Sequence, residues 1–326
     1  MNRRFFPNTS SIPILIFLIL AFWNFPIQAG SGSQKGFNLV AAWGTSGPGS
    51  GQFREPMGLA FDPQGNLYVA DARNARIQKL SADGDFLLAW GRPGEGPGEF
   101  SKPLDVAVDG QGHVYVSDYD LDRIQIFGLN GEYLKQWGQS GKNPGQFTVA
   151  AGIGIDPQRR RIYLAEFYNK RVEAYNLDGA LLFQVGKPGR AWSGALNYPT
   201  DVAVGPLGQI YVADAYNNRL QKFTSEGKYL DKWGGILGLG IAGSRKGWFR
   251  VPSGIAVDSN GRIFVTDSAN HRMVALSPKG RVLAQWNLDL PTELFSPSRV
   301  AIAPDNRIFA TDTAHDRILV FEFQGD

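Results

Sequence analysis

Short apolar runs of four to six residues recur along the chain in a fixed order. In residues 52–91 they are Met57–Phe61, Leu67–Ala70, Arg76–Leu80 and Phe86–Trp90. Turn-forming stretches separate them: Asp62–Asn66, Asp71–Asn74 and Asp83-Gly84. Runs this short, rich in β-branched and aromatic residues and punctuated by Gly, Pro, Asn and Asp, predict strands joined by tight turns. No 3.6-residue period persists beyond the N-terminus, so helix should be scarce.

The same four-run sentence returns at 99–138 and 195–234, and more weakly at 146–186, 248–287 and 294–323. Self-similarity at about fifty residues predicts one supersecondary unit per repeat. A four-stranded antiparallel sheet that cannot bury both faces alone, repeated radially, is a propeller blade. The acids ending the second run, Asp71, Asp118, Glu166, Asp214, Asp267 and Asp312, count six blades. The last copy stops where its outer strand should begin, and the missing strand stands at the other end of the chain as 37–44, FNLVAAWG. The expected fold is therefore all-β: a six-bladed β-propeller over 37–326, closed by the N-terminal strand completing the last blade.

The repeat resembles the NHL repeat. The motifs that carry this are Pro56–Asp62, Leu67–Asp71 and Asn74–Ile77, echoed in the other copies, with Asn270-His271-Arg272 nearest the eponymous triplet. The resemblance covers about residues 37–326. It implies a six-bladed propeller but no single function, because relatives bind RNA, bind proteins, sense extracellular signals or act as lyases.

Residues 1–29 differ in kind: Arg3 and Arg4, an apolar core Ile12–Phe22, then Ile27-Gln28-Ala29. This pattern reads as a secretory signal peptide, with an uncleaved anchor as the alternative. Gly30–Gly36 follows as a flexible lead-in. The localisation expected is secreted or periplasmic, or membrane-anchored facing outside. The whole chain has 33 basic and 30 acidic residues; losing the two N-terminal arginines brings the net charge from +3 to +1. Such a balance gives no electrostatic footprint for nucleic acid, and the basic run Arg159–Arg161 reads as a solvated turn. With no cysteine, disulfides, thiolate metal sites and a Cys nucleophile are excluded.

Departures from the repeat carry the candidate chemistry. At the start of the innermost strands the aligned column reads Gly58, Asp105, Gly152, Asp201, Gly254, Arg299. Asp105, Asp201 and Arg299 should converge at the channel mouth, where they could hold a cation, water or a polar ligand group, or simply cap local turns. Tyr119, Phe167, Tyr168 and Tyr216 fall in the second-to-third strand loops of blades two to four, an aromatic sector on the loop-rich face. Trp192 and Trp248 lie outside the recurring outer-strand Trp register, the latter after an insertion of about six residues within Gly234–Arg250. The inter-blade glycines at 43–53, 90–100 and 137–147 precede no helix, so they are chain-turning devices rather than a phosphate loop. Asp118–Asp122 opens like a calcium loop but has Arg123 and Leu129 where glycine and a bidentate acid are required. The recurrent Asp–Arg pairs, such as Asp71 with Arg76 and Asp214 with Arg219, read as loop braces.

Lyase relatives hold a metal with several histidines. Here His113 falls on the face opposite His271 and His315, so the three do not meet, which leaves a two-histidine site with carboxylates such as Asp316 as the alternative, and no catalytic-serine or metalloprotease motif occurs. The expectation is an exported, non-catalytic binding scaffold without a cofactor. Its loop-rich face would take a protein, peptide or glycan across Tyr119, Phe167, Tyr168, Trp192, Tyr216 and Trp248, with the channel charges fixing orientation, and it would bind no nucleic acid and touch the membrane only through an uncleaved N-terminus. The alternative is a metal-dependent lyase or lactonase-like hydrolase, with calcium or another divalent cation held by the channel carboxylates.

Overall fold

The computed structural model describes residues 36–287 and 295–325. The signal-like segment 1–29 and most of the lead-in lie outside them. Six four-stranded antiparallel sheets form among the described residues. In the first blade the strands run Pro56–Phe61, Leu67–Asp71, Arg76–Leu80 and Phe86–Trp90, close to the bounds read from the apolar runs. Innermost strands touch in succession around the axis, and that of the sixth blade returns to the first. Among the described residues helix is confined to short 3-10 turns, most of them in the second-to-third strand loops.

Closure follows the expected pairing. Phe37–Trp43 runs antiparallel to Arg317–Phe323, with Phe37 opposite Phe323 and Trp43 opposite Ile318. The joint covers the Arg317–Phe323 edge, so the sixth blade has four strands like the others.

Each blade interface encloses one apolar cluster. Its anchor is the residue that ends the inter-blade crossing: Phe53, Phe100, Phe147, Leu196, Phe249 and Phe295, all buried. The outer-strand tryptophans press on the hairpin glycines of the next blade. A Cβ at Gly84 would stand 2.7 Å from the Trp43 ring, so this glycine serves both its positive φ of 93° and the fit between blades.

The acid–arginine pairs are braces. Asp71 Oδ1 accepts from Arg54 N (2.7 Å), and Arg76 Nε donates to Asp71 Oδ2 (2.7 Å). The Arg76 guanidinium also donates to the carbonyls of Pro48, Gly49 and Gln52, holding the incoming crossing. Arg219 holds Ala191, Trp192 and Ala195 in the same way. The second blade departs from the expected pattern. Arg123 still clips the crossing, but its buried Nε has no hydrogen-bond partner and does not reach Asp118.

The third blade departs in chemistry. In the first and fourth blades a buried Gln amide, Gln78 or Gln221, accepts a crossing N–H and donates to the Asp. The third blade has Glu173 there and Glu166 as the acid. Glu173 Oε2 accepts from Gly145 N (3.1 Å) and from the Tyr175 hydroxyl (2.5 Å). Burial, then the neighbouring Glu173 carboxyl, pushes Glu166 well above the usual carboxylate range, so the pair holds a proton where the first and fourth blades hold an amide hydrogen. The folded state therefore binds more protons than the unfolded chain above about pH 4.3, and stability falls as pH rises through that raised value. Glu173→Gln is expected to flatten this decline and to raise stability at pH 8 by roughly 1–2 kcal/mol. Thermal melts of both proteins from pH 5 to 9 check it; parallel profiles would show that no proton is shared.

Candidate functional site

Two neighbouring features occupy the loop-rich face: a polar plug on the axis and an aromatic basin beside it. The plug is the alternating column. Asp105, Asp201 and Arg299 sit on blades two, four and six and are all buried. Their glycine partners have a steric reason. A Cβ at Gly58 would lie 2.5 Å from the Asp105 Cα, and one at Gly152 would lie 2.5 Å from Asp201 Oδ1. Neighbouring strand starts approach too closely for two side chains, so every second blade gives up its own.

The three charges do converge, and backbone groups satisfy them except at the Arg299 Nε, which is buried without a hydrogen-bond partner. Arg299 spans the axis, donating through Nη2 to Ala151 O (2.6 Å) and Thr200 O (3.1 Å) and through Nη1 to Ser253 O (3.1 Å). Its Nε lies 3.8 Å from Asp105 Oδ1. Asp105 Oδ2 accepts from Ile153 N (2.8 Å), and Asp201 accepts from Val202 N (2.8 Å) and Ile255 N (2.9 Å). Burial raises both carboxyls, and the Arg299 guanidinium opposes that rise. An axial cavity of about 220 Å³, walled by residues such as Leu59, Ile155, Val204 and Val257, has the plug at one end.

This set does not fit a divalent cation. Asp105 and Asp201 already accept backbone N–H groups, and a guanidinium supplies the positive charge a metal would bring. Elsewhere, His113 Nδ1 meets Asp109 (2.9 Å), His271 Nδ1 meets the Phe295 carbonyl (2.9 Å) and His315 Nδ1 meets Asp312 (2.8 Å), three separate places. Asp316, a possible partner for such histidines, instead accepts from Glu55 N across the blade joint (2.7 Å). Among the described residues no three His, Asp or Glu side chains gather in a metal-holding group.

The aromatic basin draws together four of the expected residues. The Phe167 ring lies 5.1 Å from Tyr168 and 6.0 Å from Tyr216. Tyr119 and Phe167 pack on Leu104, Val149 and Ala151, which form the floor next to the plug. Tyr198 completes the group, 4.9 Å from Phe167 and 5.0 Å from Tyr216, with Lys170 Nζ 4.3 Å over its ring. Burial and the Tyr168 contact push the Tyr119 hydroxyl up, and burial does the same at Tyr216. Tyr168 and Tyr216 remain 48% and 41% exposed, so the basin is open to a ligand.

Sequence reasoning missed Tyr198. It precedes Pro199 at a column held in other blades by Glu55, Lys102, Val149 and Val251, and an aromatic residue in that column was the available signal. The two other tryptophans lie apart. Trp192 projects from the crossing between blades three and four, whereas Trp248 is half-buried with Arg245 5.7 Å over its ring.

Comparison with known proteins places the architecture. The NHL repeat family matches residues 53–80, 196–223 and 249–283, and a family described as a 6-bladed beta-propeller matches 110–185. No curated protein matches the chain. Among solved structures it is similar to a catalytically inactive virginiamycin B lyase from Staphylococcus aureus with quinupristin, at 15% identity over 88% of each chain, TM-score 0.60. It is similar to a gluconolactonase from Xanthomonas campestris at 16% identity, covering 91% of this chain and 92% of that one, TM-score 0.61. It is also similar to a chain of a nidogen/laminin complex at 18% identity, covering 71% and 79%, TM-score 0.55. At these identities what is shared is the fold.

Proposed function

Since the chain is an NHL-repeat six-bladed β-propeller, we propose that it serves as a non-catalytic binding scaffold outside the cytoplasm, taking a protein, peptide or glycan in the basin formed by Tyr119, Phe167, Tyr168, Tyr198 and Tyr216. The single supporting observation is that five aromatic side chains from three blades meet on the loop-rich face with their outer rings exposed. Amphipathic rings stack on sugar faces or apolar side chains at little conformational cost, and clustered Tyr anchors are typical of binding hot spots. Lys170, 4.3 Å over the Tyr198 ring, adds a positive charge at the rim that favours ligands with an acidic group, whereas the Lys102 ammonium is paired with Glu55 (2.6 Å). A lyase or lactonase reading, which the folds of two structural neighbours suggest, is weakened by the guanidinium in place of a metal at the channel mouth.

The test is binding to glycan and peptide arrays by the wild type and by Tyr168→Ala/Tyr216→Ala. The double variant should weaken a captured ligand about tenfold or more, the loss of one hot-spot contact, with an unchanged melting temperature. A ligand bound equally well by both proteins would move the site elsewhere.

A further inference from the structure

The fourth blade carries an apolar outcrop that the basin does not use. Trp192 is 79% exposed and Leu237 84%, with Ile236, Leu239 and Ile241 at 54%, 49% and 45%. Other exposed leucines, such as Leu87, Leu134 and Leu182, repeat blade by blade on the outer strands, the ordinary pattern of this fold. The outcrop does not repeat. It comes from the two crossings that flank blade four, at 187–198 and 235–248.

These crossings are fixed to the same two side chains. Arg219 donates to Ala191 O (3.1 Å) and Trp192 O (3.0 Å) on one, while Gly234 and Gly240 of the other pack against its backbone and stem. Lys232 Nζ donates to Ala191 O (3.4 Å), and Gly238 rests on the Lys232 backbone and side chain. The second loop is closed on itself by Gly240 N to Gly234 O (3.0 Å) and Leu239 N to Ile236 O (2.9 Å). Leu237 sits at its tip with φ 52°, a left-handed conformation that costs a leucine about 1–2 kcal/mol. The loop is thus folded, yet it turns its large apolar side chains outward and keeps a leucine where glycine would be easier.

Charge points to the occupant. Residues 187–198 and 232–250 contain six basic residues, Lys187, Arg190, Lys232, Arg245, Lys246 and Arg250, and no acid. All but Lys232 are exposed. An outcrop rather than a groove, tipped with Trp, Leu and Ile and flanked by Lys and Arg, matches an interface where apolar tips enter the acyl boundary and cations meet headgroup phosphates. We propose that the blade-four crossings, led by Trp192 and Leu237, dock the propeller on an anionic lipid surface, independently of the basin ligand and of residues 1–29.

Because the ring closes within residues 37–323, the chain from Gly30 onward keeps it whole and removes the apolar N-terminus from the experiment. The probes are vesicles of phosphatidylcholine with and without phosphatidylglycerol. Wild type should sediment with the anionic vesicles, less so at high salt, while Tyr168→Ala/Tyr216→Ala should do so unchanged. Leu237→Asp and, separately, Arg245→Glu/Lys246→Glu should each weaken partitioning about tenfold. Leu237→Gly relieves the left-handed backbone, so it should melt no lower than wild type and still bind vesicles more weakly. Lack of partitioning to anionic vesicles, or partitioning indifferent to these substitutions, overturns the proposal. So does self-association that Leu237→Asp dissolves without any vesicle binding, which would assign the outcrop to a second copy.

Discussion

Removing Phe37–Trp43 will leave a chain that does not accumulate as a soluble monomer. That strand is the outer member of the sixth blade, and without it Arg317–Phe323 becomes an open edge ready to pair with another molecule. The loss is also one of core. Phe37 is only 1% exposed, with the Phe323, Phe321 and Phe264 rings 5.0, 6.0 and 6.2 Å away. Even Phe37→Ala, which keeps the strand, should cost about 3–5 kcal/mol. Size-exclusion profiles and melts of the truncated protein and of Phe37→Ala check both claims. Adding a peptide of sequence FNLVAAWG should restore part of the monomer peak. A truncated chain that runs as a monomer and melts with wild-type cooperativity would mean that the joint does not hold the ring.

Arg299→Ala will destabilise the propeller by about 3–5 kcal/mol, the cost of leaving buried carboxylates without their cation. The affected groups are Asp105 and Asp201, each already raised by burial and held down by Arg299. Removing the guanidinium lets both rise further. A carboxyl whose folded pKa is raised stabilises least once it must ionise, so the deficit should grow from pH 5 to pH 8. Adding Asp105→Asn and Asp201→Asn to Arg299→Ala should recover stability and remove the pH dependence. Melts of the single and triple variants read the result. A single variant whose deficit does not change with pH would show that the carboxylates are not the strained partners.

The calcium-like spacing at Asp118–Asp122, which lacks the turn glycine and the bidentate acid, has a scaffold role. Asp118 accepts from Ser101 N and Lys102 N, and Asp122 accepts from Val149 N, so both oxygens serve the scaffold. Trp248 likewise stood out in sequence, but it occupies the loop position held elsewhere by Gln52, Glu99 and Gln146 and folds down over Gly243. In a radial repeat the outlying residue is as often a local repacking as a site.

Blade number, strand bounds and most of the bracing acid–arginine pairs were legible along the chain because each depends on a local pattern repeated from blade to blade, and the terminal joint was legible because the last copy lacks the strand that residues 37–44 supply. The convergence of Asp105, Asp201 and Arg299 could be placed on one column, but not recognised as a plug. Whether three charges bind a ligand or one another depends on distances across the axis between residues about a hundred positions apart in sequence. Tyr198 joined the basin, and Trp192 and Trp248 stand apart from it, for the same reason. Neighbouring loops on a wheel come from non-equivalent places in the repeat, so which side chains share a surface is settled only when the blades close.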